Sequence, residues 1–359
     1  MALFGFLNEG SGAFACFDAI GQRRNWADKK VITMNIDSIE PNEIFEVQSV
    51  MRKVIVNTPT LPLDSDRWQN ILPQIKGGAI KLELFQQVGS FKARGAYLGI
   101  ECLSDNARKA GVVAASGGNH ALAVSWAARK KGVSAKIAIP KASDPIRIKG
   151  CRDMGAEVVL CEDIMHAFEI MENCVTQDGL TMLHPFESRH MTVGAATCGA
   201  EFIAQHPDLE VVIVPVGGGG LISGFARAIK LSKPEIKVIG VEPYGADTMY
   251  QSFERGEPVR IAKVETCADS LGAPTALPFT YSVIRENVDK IVRVEDKELL
   301  NGMRIYRDVL GLSVEPACSA SLAGAIGPLK DDIKGQNVGL IACGSNISPP
   351  RYQQLLGIG

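Results

Sequence analysis

The chain has 359 residues, of which 46% are hydrophobic and 22% are charged, a composition typical of a globular protein with a large core. Its formal net charge of −2 provides no electrostatic attraction to nucleic acid or to an anionic membrane surface. No apolar run is long enough to span a bilayer, and no signal peptide is predicted. The nine cysteines are scattered without a CxxC pair, which favours neither a zinc site nor a disulfide framework and indicates a reduced, cytoplasmic setting.

The predicted elements alternate along most of the chain. Residues 1–35 show no clear periodicity and are predicted to be an extension of unknown role. A helix is predicted over 36–56, ending before Thr58-Pro59, because the residue before a proline prefers extended backbone. Strands are then predicted at 112–115, 135–140, 157–161, 211–216, 238–242, 290–294 and 338–343. Helices are predicted at 119–129, 144–154, 164–175, from 221 onward, at 297–310 and at 319–326.

Apolar, β-branched strands that alternate with helices predict parallel sheets covered by helices on both faces. In such sheets ligands bind beyond the carboxyl ends of the strands. The glycine-rich and lysine-containing segments of this chain are therefore expected to meet at those ends.

Lys92 lies in the segment Gly-Ser-Phe-Lys-Ala-Arg-Gly-Ala, residues 89–96. A partly desolvated amine has a lowered pKa and can form a Schiff base with an aldehyde. A solvated surface lysine is the ordinary alternative, and the residues alone favour it. The loop 116–120, Ser-Gly-Gly-Asn-His, lies between a strand and a helix, where backbone N–H groups and a hydroxyl can bind a carboxylate. Serine and asparagine also favour a simple N-cap turn.

Four glycines, 217–220, follow an apolar strand and open a helix. Bare backbone at a helix N-terminus lets an anion approach the N–H groups, whereas a tight turn would need only one or two glycines. There is also a dinucleotide interpretation. Gly218, Gly220 and Gly224 resemble a nicotinamide fingerprint, and Glu242 ends the next strand where a ribose-binding acid would lie. Their spacing is one residue off the usual pattern, so a dehydrogenase is the weaker hypothesis.

Taken in this order, the three segments resemble the serine/threonine dehydratases, which are fold-type-II enzymes that use pyridoxal phosphate (PLP). The resemblance covers residues 38–350. It implies an α/β fold with two lobes, similar to the tryptophan synthase β subunit, in which parallel-rich twisted sheets are flanked by helices. It also implies a large PLP-binding domain from 36–108 and 186–359, a small mobile domain at 109–185, and a homodimer or higher homo-oligomer.

The resemblance assigns roles to particular residues, with Lys92 as the catalytic one. The implied cofactor-binding residues are Phe91, Lys92, Asn119, Gly217, Gly218, Gly219, Gly220, Leu221, Glu315 and Cys343. The implied substrate-binding residues are Ser116, Gly117, Gly118, Asn119 and His120. Cys343 is expected to face the pyridine nitrogen of PLP, and a thiol is a weak hydrogen-bond partner. The ring would then store less negative charge, which favours loss of a β leaving group.

These features predict a PLP-dependent ammonia-lyase that converts a 3-hydroxy amino acid, such as threonine, serine or a bulkier analogue, to a 2-oxo acid and ammonia. A racemase is one alternative, but racemases of this family carry a serine where this chain has Gly117. A β-replacement enzyme is another, but cysteine-synthase relatives carry an aspartate where this chain has Ala93. A nicotinamide dehydrogenase and an inactive ligand-binding protein are the alternatives outside PLP chemistry.

No metal site is predicted. Many relatives bind a divalent cation through a glutamate, a backbone carbonyl and an aspartate. Glu242 and the carbonyl of Ala246 match two of these ligands, but Thr248 stands at the aspartate position. The loss of one carboxylate weakens a site for a hard cation.

Overall fold

In the computed structural model of the protein, residues 39–358 are described. The predicted extension 1–35 lies outside them, and so does the start of the predicted helix 36–56. The first described helix, Pro41–Met51, is shorter than predicted because the chain turns at 52–54, where the N–H groups of Val54 and Ile55 both bond to the carbonyl of Met51. Within the described residues, no helix is long and apolar enough to cross a membrane.

Strands and helices alternate as predicted, with further elements between them. The strands are β1 Thr60–Pro62, β2 Gly77–Lys81, β3 Val112–Ala115, β4 Ala135–Pro140, β5 Glu157–Cys161, β6 Thr181–Met182, β7 Val211–Pro215, β8 Lys237–Pro243, β9 Lys290–Val294 and β10 Asn337–Ile341. The helices are α1 Pro41–Met51, α2 Asp66–Gln69, α3 Lys92–Glu101, α4 Asp105–Ala110, α5 Asn119–Lys131, α6 Pro145–Asp153, α7 Ile164–Asp178, α8 Arg189–Gln205, α9 Ile222–Ser232, α10 Thr248–Arg255, α11 Pro278–Asn287, α12 Asp296–Leu310, α13 Ala320–Ile326 and α14 Pro349–Leu356.

The strands form two sheets. The larger has the order β1-β2-β10-β7-β8-β9 and is parallel except for the antiparallel edge pair β1–β2. The smaller has the order β5-β4-β3-β6 and is entirely parallel. Every residue of β3, β7 and β10 is buried, which explains why their sequences are continuous apolar runs apart from Asn337 at the start of β10. The predicted α/β fold with parallel-rich sheets flanked by helices is confirmed.

Three segments that are distant in sequence meet at the carboxyl ends of these strands. The turn before α3 lies beside the end of β10, since Ser90 forms a bridge with Gly344 and the N–H of Phe91 bonds to the carbonyl of Cys343 at 3.2 Å. The loop 116–120 follows β3, and the glycine turn 217–220 follows β7. The topology therefore brings together the motifs that the sequence singled out.

A group of four charged side chains lies behind α3, and we call it the core ion cluster: Lys81, Glu83, Arg94 and Glu201. The first three are buried and Glu201 is partly exposed. Arg94 donates to Glu83 at 2.8 Å and to Glu201 at 2.7 Å. Lys81 completes the group with a bond of 3.1 Å to Glu201. Two cations thus face two carboxylates, and the cluster fixes the helix that begins with Lys92.

Candidate active site

The ends of β3, β7 and β10 and the turn before α3 line a cavity of about 370 Å³. Every residue that the sequence singled out for PLP or for substrate lines this cavity. They are Phe91, Lys92, Ser116, Gly117, Gly118, Asn119, His120, Gly217, Gly218, Gly219, Gly220, Leu221, Glu315 and Cys343. The structure therefore brings the whole predicted set into one place.

Lys92 is the first residue of α3. Its Nζ donates to the carbonyl of Pro185 and lies 5.1 Å from the centre of the Phe91 ring. Burial lowers the pKa of Lys92 to about 8, while the nearby Cys343 acts in the opposite direction. More of this amine is therefore neutral at physiological pH than in an ordinary lysine, and only the neutral amine can act as a nucleophile or base.

The turn that presents Lys92 has an unusual backbone. Val88 has φ 52° and ψ 26°, and Gly89 has φ 70°, so two successive residues are left-handed. This region is unfavourable for a β-branched residue such as valine. Asn346 Nδ2 donates to the Val88 carbonyl at 2.7 Å, and the Ser345 N–H donates to the Gly89 carbonyl at 3.0 Å. Such bonds from the β10 side hold the turn in its strained form.

The glycine turn 217–220 has no room for side chains. A Cβ on Gly217 would lie 2.9 Å from the Cα of Leu271, and a Cβ on Gly220 would lie 2.9 Å from the Cβ of Phe186. Gly219 has φ 89°, a conformation that favours glycine. The turn thus offers bare backbone just before the N-terminus of α9, which suits the phosphate of PLP.

The side chain of Asn119 is fixed by two neighbours. Its Nδ2 donates to Glu315 Oε1 at 2.5 Å, and its Oδ1 accepts from Asn346 Nδ2 at 2.7 Å. One N–H of the Asn119 amide remains for a ligand, because the NH₂ group carries two donors.

Glu315 belongs to a second group of charged side chains, which we call the cavity ion cluster: Arg147, Asp269 and Glu315. Arg147 donates to Asp269 at 2.6 Å and to Glu315 at 3.1 Å. Burial raises the pKa of Glu315 to about 7, although Arg147 acts in the opposite direction. One cation is shared between two carboxylates, so the acid is poised between its charged and neutral forms.

Sequence reasoning missed Arg147. It lies in the first turn of α6 and also donates to the carbonyls of Asn346, at 2.9 Å, and Gly117, at 3.3 Å. A cation in the first turn of a helix is disfavoured by the helix dipole. That misplaced charge was the signal that could have identified Arg147 as a residue with acidic partners elsewhere.

Two histidines are neutral: His120, which lines the cavity, and His184, which packs against the cavity residues Phe168 and Phe186. His120 Nε2 bonds to the carbonyl of Leu183 at 2.8 Å, and burial lowers the pKa of His120 to about 3, with Lys92 acting in the same direction. Burial also lowers the pKa of His184 to about 3. His120 Nδ1 is buried and has no hydrogen-bond partner among the described residues.

Cys343 follows β10 and is buried. A hydrogen bond with Cys318, together with burial, holds the pKa of Cys343 well above its usual range. The thiol is therefore uncharged, as expected of a weak partner for a pyridine nitrogen. Bare glycine backbone, a lysine amine, an available amide N–H and a neutral thiol on one cavity fit PLP.

One wall of the cavity is aromatic and apolar. The rings of Phe168 and His184 have centroids 5.6 Å apart, and the rings of His184 and Phe186 meet edge to face at 4.7 Å. Ile164, from the same helix as Phe168, also lines the cavity. Phe168 and Ile164 are further residues that the motifs did not reveal.

The residues near Glu242 do not fit a divalent cation. The two oxygens of Glu242 accept from the N–H groups of Met249 at 3.0 Å and Tyr250 at 2.7 Å. Asp247 pairs with Arg293 at 2.9 Å. Within residues 39–358 there is no group of three or more histidine, cysteine, aspartate or glutamate side chains arranged to hold a metal ion. The carboxylates of Glu242 and Asp247 are therefore already bound to protein donors.

Comparison with known proteins identifies the class that this fold and cavity define. Residues 52–344 match the family described as pyridoxal-phosphate dependent enzymes, and the chain belongs to that family. This membership decides against the nicotinamide interpretation of the glycines. PLP is the cofactor, and the chain is an enzyme of the lyase type.

Individual relatives and solved structures of this family indicate the kind of reaction more narrowly than the family description does. The chain is 44% identical over 279 residues to phenylserine dehydratase of Ralstonia pickettii, which covers 78% of this chain and 86% of the relative. It is 35% identical over 320 residues to L-threonine ammonia-lyase of Thermotoga maritima, and this match covers 88% of this chain and 78% of the relative. The structure of maize serine racemase is similar with a TM-score of 0.82 at 30% identity, covering 88% of this chain and 96% of that one.

Proposed function

We propose that this enzyme is a dehydratase that converts a 3-hydroxy amino acid with an apolar, aryl-sized side chain to a 2-oxo acid and ammonia. The observation that carries this proposal is a lysine amine of lowered pKa in a cavity that also holds a glycine turn of bare backbone and an aromatic wall. When bound, PLP supplies an electron sink for the bond that breaks at Cα.

In this proposed reaction each part of the site has a separate role. The Lys92 amine takes the proton from Cα, because its lowered pKa leaves a base at working pH. The turn 217–220 binds the cofactor phosphate through backbone N–H groups. The loop 116–120, at the start of α5, binds the substrate carboxylate. When PLP is bound, Asn119 would donate its second amide N–H to it, and the neutral Cys343 thiol would be the partner of its ring nitrogen.

The preference for an apolar side chain follows from what the cavity offers. Ile164, Phe168 and Phe186 line it, and aromatic rings pack well against an aryl group. Arg147 is already bonded to two carboxylates. Arg189, which could have faced an acidic substrate, pairs instead with Glu43 of α1. The relative named phenylserine dehydratase supports the same choice.

Racemisation is the weaker alternative. Several relatives are named serine racemase, at 32–34% identity. Gly117, however, has no side chain that could deliver a proton to the second face of Cα.

The test is to load the purified protein with PLP and supply threo-3-phenylserine, threonine and serine in turn, measuring 2-oxo acid and ammonia. We expect the highest kcat/KM with phenylserine. Lys92→Ala should abolish turnover, whereas Lys149→Ala, at an exposed lysine, should not. Full activity of Lys92→Ala would overturn the mechanism. Equal kcat/KM for serine and phenylserine would overturn the aryl preference.

We further propose that 109–185 is a small mobile domain closing on a large one formed by 36–108 and 186–359. The separate four-stranded sheet, β3 to β6, supports this division.

A homodimer or larger assembly in the cytoplasm is proposed from the family resemblance. Light scattering during size-exclusion chromatography would test the assembly, and a single monomer peak would overturn it.

A further inference from the structure

A serine from the turn after β4 fills the space beside Gly117. The Cβ that a side chain would need at Gly117 would lie 2.5 Å from Ser143 Oγ, 3.5 Å from Ser143 Cβ and 3.6 Å from Pro140 Cδ. Ser143 also lines the active-site cavity. A hydroxyl from the turn between β4 and α6 therefore occupies the place that a side chain at position 117 would take.

The turn that carries Ser143 is firmly held. The Ser143 N–H donates to the carbonyl of Pro140 at 3.0 Å. The next residue, Asp144, caps α6 by accepting from the N–H of Ile146 at 3.1 Å, and it accepts from the N–H of Ser348 at 2.8 Å. The backbone that carries Ser143 is thus held in place, and the Ser143 hydroxyl makes no hydrogen bond to another described residue.

Other hydroxyls beside the loop 116–120 are already engaged. Ser116 Oγ accepts from the N–H of Gly118 at 3.1 Å. Ser270 Oγ lies on the other side of the loop, where it contacts Glu315 Oε2 at 3.5 Å. Ser143 is the hydroxyl beside the loop that makes no hydrogen bond to another described residue.

We propose that Ser143 is a substrate-positioning residue whose hydroxyl donates to the substrate carboxylate bound at the loop 116–120. The proposal rests on the assignment of that loop to the carboxylate. Hydrogen bonds to a charged group are stronger than neutral ones, so this bond would contribute measurably to binding. Positions 117 and 143 are then coupled, since the space between them accommodates one hydroxyl.

The test is a double-mutant cycle of Ser143→Ala, Gly117→Ser and the combined variant, all loaded with PLP. The probe is glycine, which has no β leaving group. Its dissociation constant is obtained from the change in visible absorbance of the bound cofactor. Ser143→Ala should weaken glycine binding about tenfold or more. Gly117→Ser alone should also weaken it, because the new Cβ displaces the Ser143 hydroxyl. The combined variant presents one hydroxyl in the same space and should recover most of the affinity.

The chain offers a matched control at the opposite end of the same two strands. Ser134 precedes β4 and its hydroxyl faces the Cβ position of Gly111, which precedes β3, in the same kind of close approach. Neither residue lines the active-site cavity. Ser134→Ala should leave glycine binding unchanged.

An unchanged dissociation constant in Ser143→Ala, or a combined variant no better than Ser143→Ala, would overturn the proposal. In assays with phenylserine, the loss in Ser143→Ala should lie in KM more than in kcat, as expected for a ground-state contact. The glycine titration does not depend on turnover. A wild-type protein that binds glycine but releases no 2-oxo acid would refute the dehydratase function and leave Ser143 to be judged by the cycle.

Discussion

The core ion cluster is almost entirely buried, whereas the cavity ion cluster is exposed at Asp269, and the two clusters differ in charge balance. In the core cluster Lys81 and Arg94 face Glu83 and Glu201, so that cations and carboxylates are equal in number. In the cavity cluster Arg147 alone faces Asp269 and Glu315. A balanced buried cluster holds a structure in one arrangement, whereas an unbalanced one leaves a proton to be exchanged. The first supports Lys92 from behind, and the second lies where ligand binds.

The largest effect on stability is expected from Arg94→Met. Glu83 would be left as a buried carboxylate without its main partner, which costs about 3–5 kcal/mol in free energy of unfolding. Urea titration of the PLP-loaded protein would measure this. Lys149→Met is the control, since Lys149 and Asp153 form an exposed pair worth less than about 0.5 kcal/mol. The comparison fails if Arg94→Met is no less stable than Arg147→Met.

Arg147→Met should reduce activity more than stability. Asp269 is 57% exposed and can regain water, and Glu315 can take up a proton, so the loss of folding free energy should stay below that of Arg94→Met. Because Arg147 also holds the Gly117 carbonyl, kcat/KM should fall about tenfold or more. Steady-state kinetics and unfolding should be measured on one preparation. Undiminished kcat/KM would show that the cluster does not act on the loop.

A smaller and pH-dependent effect is expected from Glu315→Gln. The pKa of Glu315 is raised from 4.5 to about 7 in the folded protein. The stabilisation from its bound proton is present below pH ~4.5, declines between pH ~4.5 and ~7, and is lost above. Glutamine is neutral throughout. As the pH rises across that window, the free energy of unfolding of the wild-type protein should therefore fall by up to about 3 kcal/mol relative to that of the variant. Unfolding curves that shift in parallel for both proteins would contradict the raised pKa.

The smallest effect is expected from removing divalent cations. Asp247 is paired with Arg293, whose guanidinium carbon lies 3.9 Å from the centre of the Tyr250 ring, so a side chain provides the positive charge there. A chelator should leave turnover and melting temperature unchanged. If chelation abolished activity and magnesium restored it, the prediction would be wrong and the enzyme would depend on a bound divalent cation.

The sequence predicted the strands better than the helices, for physical reasons. Strands β3, β4, β5 and β9 were predicted with the bounds the structure has, and β3, which is buried throughout, is a continuous apolar run. Helix α8 was missed because it is rich in small residues rather than amphipathic. Gly194 lies so close to α3 that a Cβ would meet the Cα of Gly95 at 2.5 Å.

The candidate site was predicted wherever a motif encodes backbone geometry, as in the turn 217–220. Its remaining parts depend on tertiary approach. Ser143, Arg147 and Phe168 come from the turn after β4 and from α6 and α7, and only the folded chain brings them to the loop 116–120. A local sequence pattern cannot predict such tertiary contacts.

The left-handed Val88 has a practical consequence for anyone who wants a more heat-resistant catalyst. Glycine or asparagine tolerates that conformation at lower cost, so a stability-guided redesign would choose this position early. The gain in melting temperature would come from relaxing the turn that aims the Lys92 amine. A substitution at Val88 would therefore raise the melting temperature at the expense of turnover. Stabilising substitutions are better placed away from the turn that carries Lys92.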